Sequence, residues 1–243
     1  LFWGTDEPNY RVDITATFAL KLQALRCHES QVGGHRFAAV EEWVRERARA
    51  ASCLANCRQI GMAVMMYCSD NREGYPYARM MMSGAMYSDI SWLDTVRPYS
   101  RADLLNRCPS DSSALWESAD PSARRRTSYG INGYFTPNHP PYWGIKMGQL
   151  TYPATTIVVA ELAWNLTKDH FMPMFWGNPP RESNPMIQGR EWDPAQQLPK
   201  SVAITVHGGG ANYVFADGHA RWLKFQQTWD QAAGRDFYDP RRS

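Results

Sequence analysis

HGGGANYVFADGHARWL, residues 207–223, reads as one β-hairpin. Tyr213, Phe215 and Ala216 belong to an apolar run that ends at Asp217-Gly218, and Ala220, Trp222 and Phe225 alternate on the far side. An Asp-Gly pair between two such runs is a strong hairpin signal, because a tight primed turn needs positive φ and glycine adopts it without steric cost. Three glycines after His207 allow a close backbone approach or a sharp bend before the strand starts. Residues 202–206 read as a strand leading in, so the hairpin unit is placed at 202–225. His207, Asp217 and His219 could in principle form an acid–base site. A continuous strand would hold His207 some ~33 Å from Asp217, and aspartate in a turn is favoured for bonding its own backbone.

Working outward, residues 36–69 hold no proline and are rich in Ala, Arg, Glu, Leu and Met, which predicts a long helix. Cys53, Cys57, Ile60, Val64, Tyr67 and Cys68 fall on one helical face. Its first half is charged nearly all round by Glu41, Glu42, Arg45, Glu46, Arg47 and Arg49, which predicts a solvated or partner-facing surface. Asp70, Asn71 and Gly74 end it. Ser128 to Phe135, with breaks at Gly130 and Gly133, and Thr155 to Glu161 read as short strands. Cys108-Pro109-Ser110-Asp111 is a turn and Arg124-Arg125-Arg126 a solvated basic loop. Residues 173–199 read as a surface excursion and 230–243 as a polar tail. Asn165-Leu166-Thr167 matches a glycosylation sequon. A helix followed by strands with hairpin connections predicts α+β with an antiparallel sheet. The organisation expected is a segment of unclear structure over 1–34, a long helix over 35–70 and a globular head over 71–243.

The 243 residues carry 44% hydrophobic and 13% aromatic side chains, enough for a packed core, and a net charge of +2 gives no reason to expect nucleic acid. No run reaches the ~20 apolar residues of a membrane helix. Among the five cysteines, Cys27, Cys53, Cys57, Cys68 and Cys108, there is no Cys-x-x-Cys pair. Cys53 and Cys57 share a helix face, but no nearby His or second Cys pair completes a metal site, so none is expected.

Five separate stretches resemble the type IV pilin-like, or type II secretion pseudopilin-like, proteins with a C-terminal motif of His, nine residues and Asp-Gly. They are the helix segment from Ala50 to Gly61, Trp92-Leu93 with Pro98-Tyr99 and Cys108-Pro109-Ser110-Asp111, Ser128 to Tyr134, Pro153 to Glu161, and the motif itself at His207, Asp217 and Gly218. The resemblance covers roughly residues 48–226. It implies a lollipop-shaped, exported subunit: a long N-terminal helix packs into a filament, and its C-terminal half backs an antiparallel sheet, onto which Phe215 and Trp222 are candidates to pack the helix. The departure is at the N-terminus, where the stretch before Ala48 is charged and the family's is apolar.

The function this implies is a structural subunit of an extracellular or envelope filament, not an enzyme. Its partners would be copies of itself and a secretion or pilus assembly machinery, with membrane contact only during assembly. Phe37, Val40, Trp43 and Val44 would supply apolar contacts between subunits, and Arg45 and Arg49 ion pairs. Cys53 and Cys108, in family-like positions, are a candidate disulfide; two buried free thiols are the other reading. No cofactor is expected, though calcium is possible through Asp111 or Asp217. The alternative function is a secreted glycan- or calcium-binding module that does not polymerise.

Overall fold

A computed structural model describes residues 15–28, 37–78, 91–100, 106–137 and 144–242. Its first elements are helix α1 (Thr15–Arg26) and the 34-residue helix α2 (Phe37–Asp70). The chain leaves α2 through Arg72 and Glu73, both at positive φ, and the Glu73 amide donates back to the Cys68 carbonyl. No helix of the described residues is long and apolar enough to cross a membrane.

Against α2 lies a five-stranded sheet built from β1 (Tyr129–Asn132), β2 (Ile157–Glu161), β3 (His170–Phe171), β6 (Ala211–Phe215) and β7 (Ala220–Leu223). The spatial order is β3-β1-β2-β6-β7, and every pairing is antiparallel except the short β1–β3 one. The expected α+β architecture, a long helix on a largely antiparallel sheet, is therefore the one found. Between β3 and β6 sit a short helix (Pro185–Glu191) and the two-residue strands β4 (Trp192–Asp193) and β5 (Leu198–Pro199).

Strands β1, β2 and β6 are buried on both faces, whereas the edge strand β7 leaves Arg221 and Trp222 exposed. On one side Cys53, Cys57, Ile60, Ala63, Val64 and Cys68 of α2 pack with Tyr129, Ile131, Val158, Val159 and Val214. On the other, Ile157, Ala160, Tyr213 and Phe215 meet Trp176, Trp192, Phe225 and Tyr238. Trp176 and Tyr238 form an edge contact with ring centroids 4.8 Å apart. The stretch expected to be a surface excursion and the tail expected to be polar thus form the second layer. Their aromatics are spaced too irregularly to show a period, and only the sheet's apolar far face reveals what they cover.

The hairpin forms at 211–223, and three expectations about it are corrected. Residues 202–206 are not a strand; Val202 makes one bridge to Leu162 and the chain then turns away. The primed geometry falls at Gly208-Gly209, whose φ values are 63° and 85°, where His207 and Gly210 exchange amide hydrogen bonds. At Asp217-Gly218 only Gly218 has positive φ, and the Phe215 amide bonds to the His219 carbonyl around a three-residue loop. Phe215 points to the second layer, not to α2, because Val214 and Ala216 take the helix side. Trp222 is 38% exposed and donates to the His207 carbonyl at 2.7 Å.

At the hairpin turn the backbone of α2 comes directly against the backbone of the turn. A Cβ placed on Gly61 would lie 2.1 Å from the Gly218 carbonyl oxygen. Gly61→Ala should therefore destabilise the fold by about 2–3 kcal/mol, although alanine is the better helix former by ~1 kcal/mol. Urea unfolding reads the sign directly, and a stabilised variant would mean that helix and turn do not touch.

Candidate functional site

At one end of the helix–sheet interface four side chains that can bind a metal converge: Cys53, Cys108, Glu161 and His207. All four are buried, and their donor atoms lie within 4.8 Å of one another. Cys53 comes from the middle of α2, on the face that α2 lays on the sheet. Glu161 ends β2, where a charged residue closes an apolar run. Cys108 sits in the predicted Cys-Pro turn, whose Asp111 amide donates to the Cys108 carbonyl at 2.9 Å. His207 opens the glycine turn. Gly210 allows the Trp222 indole to lie against that turn, since a Cβ there would come within 2.5 Å of the ring.

The contacts are specific. Cys53 Sγ donates to Glu161 Oε1 at 3.0 Å, and His207 Nε2 lies 3.0 Å from the same oxygen and 3.5 Å from Cys108 Sγ. Glu161 Oε2 accepts the Asn212 amide at 2.8 Å. His207 Nδ1 faces Glu46 Oε1 at 3.2 Å, and Ser110 Oγ donates to the same carboxylate. Tyr129 Oη lies 3.4 Å from both Cys53 Sγ and Asn56 Nδ2.

Burial presses the Glu161 carboxyl upward, but the bond and charge of His207, the Asn212 amide and Cys53 together hold it below its ordinary range. Burial likewise presses His207 downward, and its bonds to Cys108 and Glu161 outweigh this and raise it to about 10. The two form a buried ion pair. Burial pushes the Cys53 thiol well up, and the hydrogen bond with Cys53 followed by burial does the same to Cys108. For Cys57 the Cys53 hydrogen bond works downward, and burial with the Glu161 charge exceeds it. Buried neutral thiols are poor nucleophiles.

The sequence-derived candidates are distributed as follows. His207 and Asp217 are not brought together: His207 is buried, whereas Asp217 stays in the turn and pairs with His219 at 2.5 Å. Gly218 makes the turn. Cys53 and Cys108 are brought together, as free thiols. Asn165 is exposed in a turn. Asp111 is not an open calcium ligand: Oδ2 accepts from Arg125 Nε at 2.8 Å and from Ser128 at 2.6 Å, and Oδ1 takes the Ser113 amide. Of the residues expected at subunit contacts, Val44 is buried within the chain and Val40 is half-buried, while Trp43 is 55% exposed. The Phe37 side chain lies outside the described residues. Arg45 pairs with Glu41 at 2.6 Å and Arg49 with Glu42 at 3.1 Å, so both cations have partners in their own helix.

Glu161, Glu46 and Arg125 were not singled out by the sequence. A lone carboxylate at the end of an apolar strand was the available signal for Glu161. Arg125, expected in a solvated loop, is fully buried; it also donates to the carbonyls of Leu162, Ala163 and Leu166. Its ion pair with Asp111 carries the Cys108 turn, because Ser128 donates to Asp111 and accepts the Cys108 amide.

No family model, curated protein or solved structure matches the chain.

Arg125→Met leaves Asp111 charged and unpaired in the core and should cost about 3–5 kcal/mol. Replacing both, as Arg125→Met with Asp111→Leu, should recover part of that loss in denaturant unfolding. A double variant no better than the single one would show that the pair is not what destabilises.

Proposed function

We propose that the chain is a structural subunit of an extracellular pilus-like or pseudopilus-like filament that assembles through the N-terminal half of α2. The observation that carries this reading is the division of that helix. From Cys53 onward its apolar face is committed to the sheet. Before Cys53 it stands beside α1, to which it is joined by the Arg26–Glu41 ion pair at 3.8 Å and a shared cleft lined by Ala19, Leu22, Gln23, Arg26, Glu41 and Arg45. Trp43, more than half exposed, projects from this half with the Arg47 guanidinium 5.3 Å from its ring centroid. A large exposed aromatic beside a cation has the composition of an interface anchor.

Within this reading the apolar contact is made by Trp43 and Val40. Arg45 and Arg49 stiffen the helix through their own carboxylates, which limits their part in setting subunit register. Copies of the same chain are the partner, with a secretion or pilus assembly machinery acting during export to the envelope or outside the cell. The non-polymerising glycan- or calcium-binding alternative has less support. Trp92, Trp176 and Trp192 are core residues, and Asp111 is neutralised by Arg125.

Negative-stain electron microscopy of the full chain tests the proposal. Ordered filaments are expected from the parent protein and not from Trp43→Glu, whose unfolding free energy should stay within about 0.5 kcal/mol of the parent, as for other surface changes. A parent protein that remains monomeric at high concentration would overturn it.

A further inference from the structure

We propose that Cys53, Cys108, Glu161 and His207 form a structural zinc(II) site. This goes beyond the filament reading and does not depend on it.

Three independent features point to a metal. The first is the donor set. Two thiols, an imidazole and a carboxylate are ligands that zinc takes together, and four protein donors leave no open position, as in structural sites. The second is the spacing. A tetrahedron with zinc–sulfur bonds of ~2.3 Å and zinc–nitrogen or zinc–oxygen bonds of ~2.0 Å has edges of about 3.3–3.8 Å. Three of the six edges here are 3.0 Å for Cys53–Glu161, 3.0 Å for Glu161–His207 and 3.5 Å for Cys108–His207, and the other three lie within 4.8 Å. The two shortest need to open by about half an ångström or less to reach tetrahedral length. The third is the surrounding shell. His207 turns Nε2 toward the other donors and Nδ1 toward the Glu46 carboxylate, the arrangement that fixes tautomer and ring orientation in zinc-bound histidines. Glu161 turns Oε1 inward while the Asn212 amide holds Oε2. His207 and Glu161 are thus each oriented by a group outside the four ligands.

The exchange balances without an oxidant or reductant. Zinc(II) displaces three protons, one from each thiol and one from His207 Nε2, and Glu161 enters as the carboxylate it already is. The four donors come from α2, the Cys-Pro turn, β2 and the glycine turn, so one ion would cross-link four segments whose nearest ligands are 46 residues apart in sequence. The competing state of the same sulfurs is a Cys53–Cys108 disulfide, which removes two hydrogens and both thiolate ligands.

The experiment uses the full chain, reduced with a phosphine, stripped with a chelator and then titrated with zinc(II). One zinc per chain should survive gel filtration, as read by elemental analysis, and the melting temperature should rise with zinc concentration. Cobalt(II) in place of zinc should give the intense visible d–d bands and the sulfur charge-transfer band of a tetrahedral thiolate site, a readout needing no variant. Cys53→Ser and Cys108→Ser should abolish zinc retention. Cys68→Ala, at a buried thiol outside the cluster, should retain it. Glu46→Gln, which keeps all four ligands, should weaken affinity about 10–100-fold, as loss of such an outer partner does. The proposal fails if the reduced parent retains no zinc, if Cys108→Ser binds as well as the parent, or if cobalt gives only weak octahedral bands. A disulfide found by peptide mapping in a protein that takes up no zinc after reduction would overturn it in favour of the cross-link.

Discussion

A carboxylate with almost no access to water sits at the end of the central strand, and much of the molecule is arranged to compensate it. Glu161 is 2% exposed. An isolated charge buried so deeply would cost several kcal/mol and would protonate instead. It stays ionised because His207, the Asn212 amide and Cys53 reach it from three different segments. The glycine turn, the start of β6 and the middle of α2 are held in one relation by that requirement. A polar cluster inside an otherwise apolar interface favours one helix–sheet register over others that would bury as much apolar area.

The same interface explains why the long helix can carry two different surfaces. The half after Cys53 lies close enough for Gly61 to meet the backbone of the hairpin turn, which fixes its depth and rotation. The half before it is bound by the Arg26–Glu41 pair and by the buried Leu22 and Val44, with Glu46 as the last residue to reach back toward the sheet. Glu46 therefore joins the projecting half to the buried cluster.

Among the described residues, the opposite face of the sheet has no helix of comparable length. Trp176, Trp192, Phe225 and Tyr238 arrive there from short turns and two-residue strands, and the last of them comes from the C-terminal tail. Large rings bury much area per residue, which lets loop-rich segments complete a core without regular structure. The Arg125–Asp111 pair plays the corresponding part under the Cys-Pro turn, where one guanidinium satisfies an aspartate and three backbone carbonyls at once.

Local regularities were legible in the residues alone. The helical face from Cys53 to Cys68, the length of α2, the strand ending at Glu161 and the Asp217-Gly218 turn all have a period or a turn residue that acts within a few positions of itself. The second layer, the burial of Arg125, the true place of the primed turn and the direction of Phe215 do not, because each depends on what packs against it. The cluster shows the limit most sharply. Cys53 and Cys57 lacked a histidine within the spacing that motifs allow, and the histidine arrives from position 207. Four donors separated by 46 or more residues carry no mutual spacing rule, since the distance between them is set by the register of helix on sheet. The sequence by itself determined which segments could be helix or strand and which residue types were present for chemistry. Only the tertiary structure decided which of those residues share a site, because burial and charge compensation act between neighbours in space.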